Sequence, residues 1–399
     1  METVKEKHRI MTLLEILWTS LKLGLTSFGG PVAHLAYFKD EYIDRKNWLN
    51  DRTYADLIAV CQFLPGPASS QVGISIGMLR GGFFGGVVSW LGFTLPSVIV
   101  LVVFALLYQT FSLEDAVFIQ SLKVVAAAVV LHALLGMGAK LAPDGMRRAM
   151  AVAAAVVMLL FPSAWVQLLV IAAAGIAGWT LFQNKADSNL ETFETGLSKK
   201  AGVTSLGILA ALLVMLPVLA GATDNPLVRL FDIFFRVGAL VFGGGHVVLP
   251  MIERELVPQG LLSADQFLAG YGMAQAVPGP LFTFSSYLGT MMQGIGGAVT
   301  ATIAIFLPSF LLITAALPFL NELRRRASFQ AVLMGVNAAV VGILLAAFYD
   351  PVVQRSIFDT ADFALGLVLF ALLNVWKVPA WMIVLLGTAG GYLLHFSGF

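Results

Sequence analysis

The sequence FGGP at residues 28–31 returns as FGGG at residues 242–245, and a PGP tripeptide follows each copy, at residues 65–67 and 278–280. Glycine permits backbone conformations that other residues avoid, and proline removes an amide donor, so both residue types interrupt helices. These breakers lie inside apolar segments and occur twice in the same order. A symmetric arrangement of this kind indicates that the interruptions belong to the architecture of the chain.

The composition is that of a membrane protein. Hydrophobic residues make up 58% of the 399 residues and charged residues only 12%, whereas an ordinary soluble domain carries about 25% charged residues. A helix needs about 20 apolar residues to cross a bilayer. Segments of about this length are 82–108, 116–138, 164–182, 205–220, 294–319, 329–348, 362–375 and 379–396, with a shorter one at 146–161. The sequence therefore predicts a polytopic α-helical membrane protein.

Several classes of function have no support in the sequence. Glu15 and Lys22 interrupt the apolar run at the N-terminus, and no signal-peptidase-like site follows, so we interpret this segment as part of the mature protein. The single cysteine, Cys61, excludes an internal disulfide and a multi-cysteine metal site. The polar linker at 183–202 is too short for an ATPase domain. We expect no cofactor, no metal and no nucleic-acid partner.

The glycine motifs lie at the centre of an internal duplication. Residues 24–42 align with 238–256, and residues 54–67 align with 267–280. Three more matches follow in order: LPS at 95–97 with 307–309, residues 118–130 with 329–341, and FPSAW at 161–165 with VPAW at 378–381. Ordered matches at a nearly constant offset do not arise by chance, and internal repeats are typical of secondary transporters.

The distribution of basic residues predicts that the two copies are inverted. Lys and Arg on short loops favour the cytoplasmic side of a membrane. If each motif marks the tip of a re-entrant hairpin, most Lys and Arg residues fall on the cytoplasmic side, and the exceptions outside are Arg229, Arg254 and Arg355. Reading each motif as one full crossing would instead place the basic cluster at 39–52 outside. The predicted hairpins are 11–43, 52–80, 226–257 and 264–292.

These hairpins define the predicted fold class, an all-α polytopic membrane protein built as an inverted repeat. The N-terminal repeat covers residues 1–183 and has about four transmembrane helices after its two hairpins. Residues 184–225 supply the polar linker and one linking transmembrane helix, whose odd crossing reverses the second copy. The C-terminal repeat covers residues 226–399 and has the same plan.

The interrupted helices predict a binding site for an anion. Helices that resume after the breaks would present free N–H groups and positive dipole ends to the bilayer centre, and such ends bind anions. The candidate substrate-binding residues are the motif glycines and the polar side chains beside them: Gly29, Gly30, Gly66, Gly244, Gly245, Gly279, Gln62, Ser69, Ser70, His246, Gln275 and Thr283. For any single Gly, Ser or Thr, a kink or a hydrogen bond back to a carbonyl remains the alternative.

Two cations complete the predicted site. Lys22 and Arg236 occupy equivalent positions, two residues before a matched glycine and about 15 Å along the stem of each first hairpin. A charge at membrane depth costs at least about 2.5–3.5 kcal/mol, so it requires compensation. Asp232 lies one turn from Arg236, whereas the acid nearest to Lys22 in sequence, Glu15, is two turns away. Binding of an anion and structural ion pairing both remain open, and a third cation, Lys123, has no basic counterpart.

The paired FGG and PGP motifs and the two homologous halves resemble the chromate ion transporter family in its long, two-domain form. The resemblance implies a transporter that exports chromate and confers chromate resistance, located in the bacterial inner membrane with its N-terminus in the cytoplasm. Sulfate or another anion is the alternative substrate, and a homodimer is the expected assembly. A membrane-embedded enzyme is disfavoured, because the sequence shows no intramembrane carboxylate pair, histidine cluster or Ser–His arrangement.

Overall fold

The computed structural model describes residues 2–28, 30–111, 117–183, 198–241, 248–319 and 327–396, and these residues form helices and short connections. The helices, numbered in chain order, are α1 (Glu2–Thr26), α2 (Gly30–Phe38), α3 (Asp51–Phe63), α4 (Ala68–Thr110), α5 (Val117–Leu141), α6 (Gly145–Leu160), α7 (Ala164–Phe182), α8 (Lys199–Ala222), α9 (Pro226–Leu240), α10 (Val248–Leu256), α11 (Ala264–Ala276), α12 (Phe284–Ala316), α13 (Ala327–Ala347), α14 (Thr360–Asn374) and α15 (Ala380–Phe396). Short π-helical or 3₁₀ turns extend α2, α12 and α13 and precede α12, and a single α-helical turn at Gln354–Ser356 follows the extension of α13.

The chain is a multi-pass membrane protein, as the composition predicts. Five helical segments are long and apolar enough to cross a bilayer, and they contain α4, α5, α8, α12 and α13. Shorter apolar helices correspond to α7, α14 and α15. Each predicted apolar span coincides with a helix or with one arm of a helix.

The helices stop at the breakers. α1 ends at Thr26, α3 ends at Phe63 before the first PGP, and α11 ends at Ala276 before the second. α9 ends at Leu240, and residues 242–247, which contain the FGGG motif, lie outside the described residues. The two PGP glycines adopt φ angles of +115° and +99°, which favour glycine over any side-chain-bearing residue. The prediction of interrupted helices is thus confirmed wherever the structure describes them.

Capping residues start the second hairpin of each repeat. The side chain of Asn50 accepts the Thr53 N–H at 2.7 Å, and the Ser263 hydroxyl accepts the Gln266 N–H at 3.1 Å. Asn50 and Ser263 align in the duplication, and both supply an oxygen for an amide that the first helical turn leaves without a partner. The repeats therefore use the same device with different residues.

A further pair of breaks folds α4 and α12 back on themselves. The backbone leaves the helical conformation at Gly81 and Gly82 in α4, and at Gln293 and Gly294 in α12. The two arms of α4, residues 68–80 and 83–110, then pack against each other so closely that a Cβ on Gly77 would lie 2.4 Å from the carbonyl oxygen of Gly85. The equivalent glycines 289 and 297 make the same contact in α12. Small residues permit this backbone approach between helices in a membrane.

The contact between α4 and α12 establishes the inversion. The long arms of these helices, residues 83–110 and 295–316, occupy equivalent positions in the two repeats. The ring centroid of Phe83, at the start of one arm, lies 6.2 Å from that of Phe310, near the end of the other arm. At the opposite end, the Gln109 amide donates to the carbonyl of Met291 at 2.9 Å. Equivalent helices therefore run antiparallel, so the repeats are inverted, as predicted.

The repeats also interlock. α5 of the first repeat packs against α11, α14 and α15 of the second, and α13 of the second packs against α6 and α7 of the first. Close backbone contacts hold this arrangement, since a Cβ on Gly178 would lie 2.4 Å from the carbonyl oxygen of Ala331. Each repeat thus buries its central helix against helices of the other.

The tight contact between the arms of α4 can be tested by adding one methyl group. We expect Gly77→Ala to lower the free energy of unfolding by about 1–3 kcal/mol, because the new Cβ meets backbone that cannot move aside cheaply. Gly207→Ala on the exposed face of α8, where a Cβ has open space, is the matched control and should be neutral or slightly stabilising. Thermal unfolding in detergent measures both, and equal melting temperatures would contradict the described packing.

Candidate functional site

The tips of the interrupted helices meet across the two repeats. The Gly66 N–H of the first PGP donates to the carbonyl of Val241 at 2.6 Å, and the Gly279 N–H of the second PGP donates to the carbonyl of Ser27 at 2.9 Å. Ser27 and Val241 are equivalent residues, each just before an FGG motif. We call these four residues the tip junction. The breaks of both repeats therefore lie together and not in separate parts of the molecule.

The tip junction changes the role expected of two predicted residues. Gly66 and Gly279 are predicted substrate-binding residues, and in the structure their N–H groups are bonded to the opposite repeat. In the described conformation these two amides join the repeats and are not free donors. The physical reason is that a carbonyl exposed by a break in one repeat lies within reach of an amide exposed by a break in the other, and buried backbone groups of this kind pair whenever they can.

Serine hydroxyls flank the tip junction. Ser309 Oγ would lie 2.8 Å from a Cβ on Gly66, and Ser97 Oγ would lie 2.8 Å from a Cβ on Gly279. These are the equivalent serines of the two LPS matches. Sequence reasoning used the matches only to establish the duplication, although a hydroxyl conserved between the halves was a usable signal for the site.

Several buried hydroxyls near the tips have no hydrogen-bond partner in the part of the chain that the structure describes. They are Ser27 of the tip junction, Ser309 beside it, and Ser70, Thr94 and Ser285. Buried polar groups are normally paired, so a group of unpaired donors is unusual. These hydroxyls can supply hydrogen bonds to a bound anion without breaking existing bonds.

The other predicted polar residues differ in whether their side chains have hydrogen-bond partners. Ser69 Oγ lies 3.2 Å from His34 Nδ1, and the Thr283 hydroxyl donates to the carbonyl of Pro280 at 2.7 Å, which is a local structural bond. The Gln275 Nε2 group is buried and has no partner among the described residues. Gly30 begins α2.

Gly29, Gly244, Gly245 and His246 lie outside the described residues, and so does the side chain of Gln62. Their proposed contacts with an anion stay predictions.

Both predicted cations are paired with equivalent glutamates. Lys22 Nζ lies 2.6 Å from Glu41 Oε2, and Arg236 Nη1 lies 2.8 Å from Glu255 Oε1. In each repeat the glutamate follows its cation by 19 residues. The pairing supplies the compensation that a charge at membrane depth requires. Sequence reasoning missed Glu41 because it considered only acids nearby in the chain, although Glu41 and Glu255 align in the duplication.

The two ion-pair clusters differ in charge. In the first cluster, Glu41 also accepts a bond from Arg45 at 3.3 Å, so one carboxylate serves two cations. In the second cluster, Arg236 also pairs with Asp232 at 3.0 Å, so one cation serves two carboxylates. The Lys22 side chain is 43% exposed, whereas that of Arg236 is 22% exposed. The first cluster is therefore the more open and the more attractive to an anion.

The third intramembrane cation has a structural partner. Lys123 Nζ lies 3.1 Å from Asp265 Oδ1 of the second repeat, which adds an ion pair to the interlock of α5 with α11. Within the described ranges, no three His, Cys, Asp or Glu side chains come together as a metal site would require.

Comparison with known proteins gives consistent results. The family model "Chromate transporter" matches the chain twice, at residues 14–179 and 228–392. The chain is 28% identical over 380 residues to the chromate transport protein of Pseudomonas aeruginosa, covering 93% of this chain and 89% of that protein. It is 27% identical over 390 residues to the chromate transport protein of Cupriavidus metallidurans, covering 95% and 92%. It is 25% identical over 406 residues to an uncharacterized transporter of Methanocaldococcus jannaschii, covering 98% and 96%. No solved structure matches.

Substitution of Gly279 tests whether transport requires the tip junction. We expect Gly279→Ala to reduce chromate transport in membrane vesicles severely, because the Cβ adds strain at φ +99° and lies 2.8 Å from Ser97 Oγ. Gly260→Ala is the control for a positive-φ glycine outside the junction, since its φ is +68° and a Cβ there meets nothing within 4 Å. Equal transport by the two variants, at equal expression, would show that the junction is not required.

Proposed function

The chain belongs to the chromate transporter family, and from this membership we propose that it exports chromate from the cytoplasm and thereby confers chromate resistance. The observation that carries the proposal is the tip junction, where interrupted helices of the two inverted repeats meet. A paired cation lies five residues before Ser27 in the first repeat and five residues before Val241 in the second. Interrupted helices at the interface of inverted repeats are where secondary transporters hold their substrates.

The groups near the tip junction suit a tetrahedral oxyanion. Such an ion needs several donors that converge from different directions together with positive charge. The unpaired hydroxyls of Ser27, Ser70 and Ser309 offer the donors, and Lys22 and Arg236 offer the charge. Direct hydrogen bonds to ionised oxygens are stronger than those between neutral groups.

Glu41 and Glu255 suggest how the cations are used. Glu255 meets Arg236 through both carboxylate oxygens, at 2.8 and 3.3 Å, which is the two-pronged geometry that guanidinium groups offer to oxyanions. A chromate ion can present two oxygens in the same way and replace the carboxylate. In this mechanism the glutamates hold the cations between transport events and return when the substrate leaves.

The charge difference between the clusters suits loading of the anion from the cytoplasmic side. With the N-terminus in the cytoplasm, the first cluster, which contains Lys22, lies in the cytoplasmic half of the membrane. The second cluster, which contains Arg236, lies in the opposite half. An anion is captured where two cations share one carboxylate, and it is released where two carboxylates share one cation. The membrane potential acts in the same direction, since moving a divalent anion out of an inside-negative cell releases roughly 4–5 kcal/mol per 100 mV. Export of this kind requires no coupling ion.

Removing the two cations tests the site. We expect the double variant Lys22→Gln, Arg236→Gln to lower kcat/KM for chromate about 10- to 100-fold, because charge-assisted bonds are lost. Uptake of chromate into everted vesicles and growth on chromate measure the loss. Arg229→Gln is the matched control, because this exposed residue lies two turns earlier on α9 and bonds only to Gln259 among the described residues.

Two outcomes of that experiment would change the proposal. Normal resistance in a well-expressed double variant would refute the assignment of the cations. Uptake that unlabelled sulfate inhibits more strongly than unlabelled chromate does would make sulfate the substrate, and the site assignment would then be judged on sulfate transport.

The proposed orientation is that of a bacterial inner-membrane protein whose N-terminus is cytoplasmic, and it has its own test. In a Cys61→Ala background, we expect Lys46→Cys to react with an impermeant thiol reagent only from the cytoplasmic side, and Ser263→Cys only from the opposite side, because the hairpins of the two repeats enter from opposite faces. Labelling of intact cells and everted vesicles distinguishes the sides. Reaction of both cysteines from one side would contradict the orientation. Crosslinking between two copies would report on the proposed homodimer.

A further inference from the structure

A small cavity lies beside the second ion-pair cluster. Arg236 and Glu255 form part of its wall, and side chains of α7, α9 and α10 complete it, among them Gln167, Leu240 and Met251. The cavity has a volume of about 20 Å³, which accommodates about one water molecule. It is therefore too narrow for an oxyanion beside the charged pair in the described conformation.

Gln167 has no hydrogen-bond partner for its side chain. It is 2% exposed, and neither Nε2 nor Oε1 is bonded to any group in the part of the chain that the structure describes. A buried amide offers two donors and an acceptor, and leaving them unpaired destabilises a protein. The fold retains such a residue against its own stability, directly on the wall of the cavity that contains Arg236.

The second repeat has no glutamine at the position equivalent to Gln167. Ala164 and Trp165 at the start of α7 align with Ala380 and Trp381 at the start of α15, which places Ile383 opposite Gln167. Ile383 is fully buried in the hydrophobic core. The amide beside Arg236 therefore has no counterpart at the equivalent position of the second repeat.

We propose that Gln167 is a substrate-binding residue whose Nε2 group donates to a tetrahedral oxyanion held at Arg236. The inference rests on the proposed function, because it assigns a further ligand to the same transport pathway. When the Glu255 carboxylate leaves Arg236, the space it vacates joins the cavity, and an oxyanion in that space lies against the unpaired amide. Gln167 then gains the partner that it lacks in the described conformation.

The test compares ligand affinity with stability in purified protein in detergent, using chromate and sulfate as probes. We expect Gln167→Leu, which is similar in volume, to raise the Kd of the oxyanion about 3- to 10-fold, the loss of one hydrogen bond. We expect its melting temperature without ligand to be equal to or higher than that of the wild type, because an unpaired buried amide is removed. Gln167→Glu should raise the Kd further by adding a negative charge beside Glu255.

Ile383→Leu is the matched control at the equivalent position and should leave the Kd unchanged. An unchanged Kd in Gln167→Leu would overturn the proposal, and so would a lower melting temperature with no loss of affinity. If the wild type binds sulfate but not chromate, the proposed export of chromate fails while the effect of Gln167 is judged on sulfate. Binding of neither ion would overturn both.

Discussion

The structure depends on one constraint, which is that a backbone carbonyl or amide exposed inside a membrane must find a protein partner. Breaking a helix at Gly66 or Gly279 exposes such groups, and each repeat satisfies them with the opposite repeat through the hydrogen bonds to Val241 and Ser27. The breaks thus serve as the attachment between the halves. A chain with breaks in only one half would leave these groups unpaired, which explains why the breakers occur in both.

The charged residues follow the same symmetry only in part. Glu41 and Glu255 hold equivalent cations in equivalent geometry, which is what an inverted duplication produces. Arg45, Asp232 and Gln167 then make the clusters different in net charge and in unpaired donors. The two clusters therefore differ through a few side chains on an otherwise symmetric frame.

Sequence reasoning predicted the features that local composition encodes. Helix breaks, apolar spans, the duplication and the inversion each have a signal in residue type, spacing or loop charge, and the structure agrees with them. It selected Lys22 and Arg236 as candidate ligands but missed the Lys22–Glu41 pair, and it selected Gly66 and Gly279 but missed their hydrogen bonds to the opposite repeat. These partners lie far away in the chain, and their choice depends on how the repeats fit together. Gln167 carried no signal, because a single amide in an apolar helix is unremarkable until its surroundings are known.

The interlock of the halves has a consequence for each half on its own. Because α5 is buried by helices of the second repeat and α13 by helices of the first, one half alone would leave its central helix exposed to lipid. A single half of this plan would therefore need a second copy, inserted in the opposite direction, to cover its central helix. Joining both halves in one chain supplies that cover within one molecule and fixes the two orientations relative to each other.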